Sequence, residues 1–209
     1  MDNIQPMDND EIEIDLKDLF LELVSFWKLI LLALVLGAGI AYAASRFLMV
    51  PQYESVSELY VLSKSTSITS LADIQAGTSL TNDYMVVVKG RPVLEQVISN
   101  LSLNETYESL ESKITLENPS NSRILKITVR DKNPTMAKTI ADEIANVGAA
   151  FIAEKMDQDP PNVIQWGYTD GAAVSPSVFK NTAIGGMLGL LLASGIIVIS
   201  YLFNDTIMN

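Results

Sequence analysis

Four carboxylates lie where a catalytic pair could form. Asp142 and Glu143 are adjacent, and Asp157 and Asp159 are two residues apart. Acid–base or metal chemistry needs two such groups converging on one point, or carboxylates joined by His or Cys ligands. Neighbours on a helix point to different sides, and Asp157 and Asp159 sit in a loop before Pro160-Pro161 with no third ligand nearby. The chain has no His and no Cys. Cys or His nucleophiles, Cys-ligated metals and disulfides are therefore excluded, while the redox compartment stays open. No glycine-rich phosphate loop occurs, because Gly185-Gly186 falls inside an apolar run. The carboxylates read as solvated charges, and the chain as a non-enzyme with no cofactor and no metal.

Charge narrows the partners. Of the net −11, residues 1–28 carry eight acids and two lysines, and residues 51–180 carry sixteen acids and eleven bases. No basic stripe appears. Nucleic-acid binding, which neutralises phosphates with clustered Lys and Arg, is excluded on this ground, and a clamp on anionic headgroups is disfavoured.

Two apolar runs must anchor whatever lies between them. Leu29 to Ser45 is free of charge, bracketed by Lys28 and Arg46 and extended by Phe47-Leu48-Met49-Val50. It predicts a membrane helix over 29–50 rather than a cleaved signal, whose apolar region is shorter and whose lead is basic. Thr182 to Phe203 predicts a second, over 181–203, with Tyr201 and Phe203 suited to the interface. Two spans leave 51–180 on one side, and 1–28 and 204–209 on the other. Lys17 and Lys28 against Arg46, Lys64 and Lys180 is a near tie, so charge does not orient the chain. Ala33, Gly37, Ala41 and Ser45 recur every four residues, as do Gly185, Gly189 and Ala193. Such stripes let helix backbones approach, within one chain or between subunits. Ahead of the first span, Leu16, Leu19, Phe20, Leu23 and Trp27 share a helical face. They read either as an amphipathic lead-in at the membrane surface or as a plain extension of the span. Trp27 suits an interfacial anchor, and Trp166 a strand or membrane-proximal contact.

The central segment reads as α+β. Tyr53 to Leu62 is rich in strand formers, and the Ser- and Thr-rich 63–82 reads as a loop. Asp83 to Leu101 reads as helix, interrupted near Gly90 and restarting with Pro92 in a first turn. Thr106 to Ser112 is a further short helix. Lys113 to Asn118 and Arg123 to Arg130 alternate like strands around the turn Pro119-Ser120-Asn121. Asn133-Pro134 predicts an N-cap and first-turn proline. Ala137, Ile140, Ile144, Val147 and Phe151 then mark one helical face, to about Met156. Val163 to Tyr168 is a last strand. The order strand-helix-strand-strand-helix-strand is that of the split βαβ, ferredoxin-like fold.

Several segments carry a family resemblance. They are Ile14-Asp15-Leu16-Lys17-Asp18-Leu19, Pro51-Gln52-Tyr53-Glu54, Leu80-Thr81-Asn82-Asp83-Tyr84, Arg91-Pro92-Val93-Leu94-Glu95, Arg123-Ile124-Leu125-Lys126-Ile127, Asn133-Pro134-Thr135-Met136-Ala137 and Asn204-Asp205-Thr206-Ile207. In this order they resemble the Wzz-like chain-length determinants, or polysaccharide co-polymerases, in the short Gram-positive form. The resemblance implies a plasma-membrane protein with an extracytoplasmic domain, cytoplasmic termini and ring-like homo-oligomers. It implies control of polysaccharide length beside a membrane polymerase and its lipid-linked glycan, and activation of a separate cytoplasmic tyrosine kinase that binds ATP. Pro51, Tyr53, Asp83, Tyr84, Arg91, Pro92, Pro134 and Pro176 are the motif positions it carries over. Two departures stand out. Val174-Ser175-Pro176-Ser177 keeps one proline where the family is Pro-rich. Six residues follow Phe203 where related proteins often have a longer kinase-contacting tail, which points to truncation or a minimal contact. Apart from the resemblance, a two-span sensor or ligand-binding module signalling through a partner is the competing reading.

Overall fold

The computed structural model describes residues 16–61 and 71–205. It divides into a helical unit, built from the segments around residues 16–49 and 177–205, and an α/β unit, Val50–Pro176.

In the helical unit α1 (Leu16–Ser25) gives way at Phe26 to α2 (Trp27–Ala43), which runs into a single wide turn, Ala44–Leu48, where the N–H of Met49 reaches back to the carbonyl of Ala44. The second long helix, called α7 below, is Val178–Asp205. Trp27–Leu48 and Val178–Phe203 are each long and apolar enough to cross a membrane. Leu31, Leu32, Val35, Leu36 and Ile40 of α2, and Leu188, Leu191, Leu192 and Ile196 of α7, are exposed. Outward-facing aliphatic rows of this kind are stable in lipid and not in water.

The α/β unit starts with β1 (Gln52–Tyr60), followed by α3 (Leu71–Val88), α4 (Arg91–Asn100) and α5 (Tyr107–Ser112). Then come β2 (Ile114–Glu117), β3 (Ile124–Asp131), α6 (Pro134–Met156), β4 (Asn162–Tyr168) and the short β5 (Ala173–Ser175). The strands form one antiparallel sheet in the order β2-β3-β1-β4, with β5 also pairing to β1. Register puts Ser55, Ser57 and Leu59 opposite Val129, Ile127 and Leu125, and this face is buried under α6. Ala137, Ile140, Ala141, Ile144, Ala145, Gly148 and Ile152 form the buried stripe of α6, at helical spacing. Asn133 caps that helix, its Oδ1 accepting from the N–H groups of Thr135 at 2.9 Å and Met136 at 3.4 Å.

One expectation is overturned. The Ser/Thr-rich stretch does not stay irregular to residue 82: the chain is helical from Leu71, while 63–70 lie outside the described residues. Two threonines satisfy their hydroxyls without breaking the helix. Thr81 Oγ1 donates to the carbonyl of Gly77 one turn back, and Thr78 Oγ1 to that of Asn121, both at 2.8 Å.

Candidate functional site

The four carboxylates have separate surroundings. Glu143 accepts from Asn100 Nδ2 at 2.6 Å and points away from Asp142. Asp157 takes the left-handed conformation that ends α6 (φ 49°), and Asp159 is exposed. No group of three or more potential metal ligands occurs among the described residues.

Asp142 departs from the solvated reading. Its side chain is only 19% exposed. Oδ1 accepts from the hydroxyl of Ser57 at 3.0 Å and the backbone N–H of Gly167 at 2.5 Å, and Oδ2 from Lys138 Nζ at 2.5 Å. The carboxylate thus ties α6 to both β1 and β4. The approach is close: a Cβ on Gly167 would lie 2.8 Å from Asp142 Oδ1 and 2.9 Å from Ser55 Oγ. Three donors from α6, β1 and β4 converge on this carboxylate and hold the layers together, while the neighbouring Ser55 hydroxyl is buried without a partner among the described residues. A second knot joins Lys113 Nζ to Glu105 Oε1 at 2.5 Å and Asp131 Oδ2 at 2.8 Å. Asp131 also receives the N–H of Asn133 at 2.9 Å. Burial pulls the Lys113 ammonium down, but its two carboxylate hydrogen bonds leave it raised. Burial pushes Asp131 up, and the bonds from Lys113 and Asn133 leave it lowered.

The family-motif positions are mostly structural in their surroundings. Pro51 leads into β1, and Tyr53 stands opposite Asp131 on one side and Ala173 on the other. Asp83 is exposed on α3, whereas Tyr84 is fully buried with no partner for its hydroxyl among the described residues. Burial first, and the charge of Asp159 second, push that hydroxyl above its usual range. Arg91 pairs with Glu95 at 2.7 Å and stacks 5.7 Å above the Tyr107 ring, and Pro92 sits in the first turn of α4. Pro134 opens α6, and Pro176 follows a cis peptide bond. A groove of about 550 Å³ lies between the end of α3, α5 and β2, lined by Met85, Val86, Tyr107 and Leu116. The Lys89–Glu111 pair at its rim is 3.8 Å apart.

In the helical unit the two small-residue stripes meet inside one chain. A Cβ on Gly37 would overlap the carbonyl of Gly185 and lie 3.2 Å from the Cα of Gly189. One on Gly185 would overlap Ala41, and one on Gly189 the carbonyl of Ala33. Asn181 Nδ2 donates to Ser45 Oγ at 2.8 Å, and Ala193 and Ser45 are buried. The pairing of residues 33, 37, 41 and 45 with 189, 185 and 181 runs in opposite directions, as an antiparallel helical hairpin must.

Sequence reasoning missed the Asp142 knot. Its only signal is a polar pair, Ser55 and Ser57, at the inward positions of a strand.

Known proteins resemble this chain in sequence. Residues 12–101 match the family model described as Wzz, chain length determinant protein. The chain is 31% identical to capsular polysaccharide biosynthesis protein CpsC of Streptococcus agalactiae over 95% of its length and 87% of that protein's. It is 30% identical to CpsC of Streptococcus pneumoniae, over 94% and 86%. It is also 30% identical to the probable capsular polysaccharide biosynthesis protein YwqC of Bacillus subtilis, over 78% and 68%.

Proposed function

Since the chain belongs to the Wzz chain-length determinant family, with capsular polysaccharide biosynthesis proteins as relatives over nearly its whole length, we propose that it is a non-catalytic membrane scaffold of capsule assembly. Membrane residence and a part in setting polysaccharide length go with the family and with the two apolar helices. The finer reading is ours. The α/β unit is a ferredoxin-like domain outside the cytoplasm, both termini are cytoplasmic, and several copies assemble into a ring. The cytoplasmic segments 1–28 and 204–209 engage and activate a tyrosine kinase, while a polymerase forms the glycosidic bonds.

One observation carries the scaffold reading: an α/β domain is inserted between two helices long and apolar enough to cross a membrane, and the carboxylate of Asp142 is bonded to β1, β4 and its own helix. The strand order β2-β3-β1-β4, with α6 packed on one face, supports the ferredoxin-like assignment. Deleting the gene should change capsule polymer length or amount and leave the repeat unit unaltered, as read by gel profile and sugar analysis. A changed repeat composition would refute the scaffold reading. In this Cys-free chain, Ser65→Cys should react with an impermeant thiol reagent on intact cells and Asn3→Cys should not; the reverse pattern would invert the topology.

A further inference from the structure

The sheet buries one face under α6 and turns the other outward. On the other face, in register, are Glu54 opposite Arg130, Val56 opposite Thr128, Glu58 opposite Lys126 and Tyr60 opposite Ile124, with Thr128 itself buried. Tyr168 of the outer strand β4 follows, opposite Val56. Gly167 directs its N–H to Asp142 in the helix layer. β4 carries two register shifts against β1, but Tyr168 pairs with outward Val56, and a Cβ on Gly167 would face Asp142 in the helix layer, which leaves Trp166 and Tyr168 on the outer face. They are 51% and 69% exposed, and Ile164 beside them is 53% exposed. Two positions along a strand separate their Cα atoms by roughly 7 Å, which makes a short aromatic row backed by a polar field.

Three kinds of occupant take exposed aromatics. A bilayer with anionic headgroups is a poor match, because Glu54, Glu58 and Glu117 outnumber Lys126 and Arg130 on this face. A second copy would need a centre depleted in charge. Here the apolar row is one strand wide, and the middle of the face carries the Arg130–Glu54 pair at 3.0 Å and the Lys126–Glu117 pair at 3.7 Å. A sugar chain fits both halves. The C–H face of a pyranose lies flat on an aromatic ring, and its hydroxyls donate to carboxylates and accept from ammonium, amide and guanidinium N–H groups. The geometry points to this face as a glycan-binding platform, with Trp166 and Tyr168 as stacking residues and Glu58, Lys126 and the Glu54–Arg130 pair as the hydroxyl-binding rim. The slight excess of acid suits a neutral polymer. This assignment rests on the capsule reading above and names where the polymer would touch the chain.

The test uses the full chain in detergent, in a Trp27→Phe background so that Trp166 is the only indole. The probe is size-fractionated capsular polysaccharide from the strain that encodes the protein. Binding should alter Trp166 fluorescence and retard the protein in affinity electrophoresis. Trp166→Ala and Tyr168→Ala should each weaken binding about tenfold, the scale of one lost aromatic stacking contact, whereas Trp166→Phe should retain most of it. Both positions are exposed, so thermal midpoints should stay within a few degrees of the parent. Tyr168→Ala provides a second arm if Trp166→Ala proves unstable. No binding by the parent, or equal binding by both alanine variants, would overturn the platform. So would unchanged polysaccharide binding with a reduced oligomer mass, or with reduced partition onto phosphatidylglycerol vesicles, since these assign the face to a second copy or to lipid. A capsule-length defect on gene deletion together with failed binding would leave the scaffold reading standing and remove this one alone.

Discussion

Replacing Gly185 by Leu should split the helical hairpin. A Cβ at this position already overlaps Ala41 Cβ and the carbonyl of Gly37, and neither can swing away, being a helix backbone atom and the first atom of a side chain. Restoring ordinary carbon–carbon contact at ~3.5–4 Å requires α2 and α7 to separate by roughly 1–2 Å. Overpacking of this kind costs about 1–3 kcal/mol, or a shift of roughly five- to 160-fold toward the separated helices. The same separation breaks the 2.8 Å bond from Asn181 to Ser45. The absence of native cysteine makes the assay direct. Ser45→Cys with Asn181→Cys, treated with a short bismaleimide in membranes, should give an intrachain crosslink at monomer mobility. Adding Gly185→Leu should abolish most of it. An undiminished crosslink would refute the close-packing argument. A product found only at dimer mobility would show that the stripes pair between copies and not within one.

The Lys113 knot predicts a pH profile. Asp131, lowered in the folded state, contributes stability that is complete above the ordinary carboxylate value of ~3.9 and is lost as pH falls through its own lower value. Lys113, raised, contributes stability that is complete below ~10.4 and is lost as pH rises through its higher value. Thermal midpoints of the parent should therefore be flat across neutral pH and fall at both ends, and Lys113→Met should lower the plateau and remove the alkaline arm; a variant with the parent's profile would show the knot to be idle. Tyr84→Phe deletes a buried hydroxyl that has no partner among the described residues and should raise stability by about 1 kcal/mol, read as a higher thermal midpoint; a lower midpoint would reveal a bond to that hydroxyl.

Legibility followed the strength of local rules. Asn133-Pro134 and the spacing of Ile140, Ile144 and Val147 determine α6 because cap and stripe agree. Ile114 and Leu116, with Leu125, Ile127 and Val129, betray β2 and β3 by alternation alone. The first turns of α3 were hidden because Ser and Thr favour loops on average, and only Thr78 reaching Asn121 shows how tertiary contact reverses that preference. β5 is three residues long and owes its strand geometry to Gln52 and Tyr53, so no pattern within it could announce it. Asp142 was misread for a related reason. A charge buried on a helix looks solvated until the strands that satisfy it are known.

The pairing of Gln52 with Ser175 ties the beginning of the α/β unit to its end. Closing a flexible loop of that length, roughly 120 residues, costs about 4 kcal/mol in chain entropy beyond a constant term. Once the sheet has formed, the ladder has already met that cost, and each apolar helix finds its partner at a high effective concentration. Folding of the α/β unit and pairing of the two apolar helices are therefore linked equilibria, and a substitution that loosens the sheet is expected to weaken the hairpin without touching it.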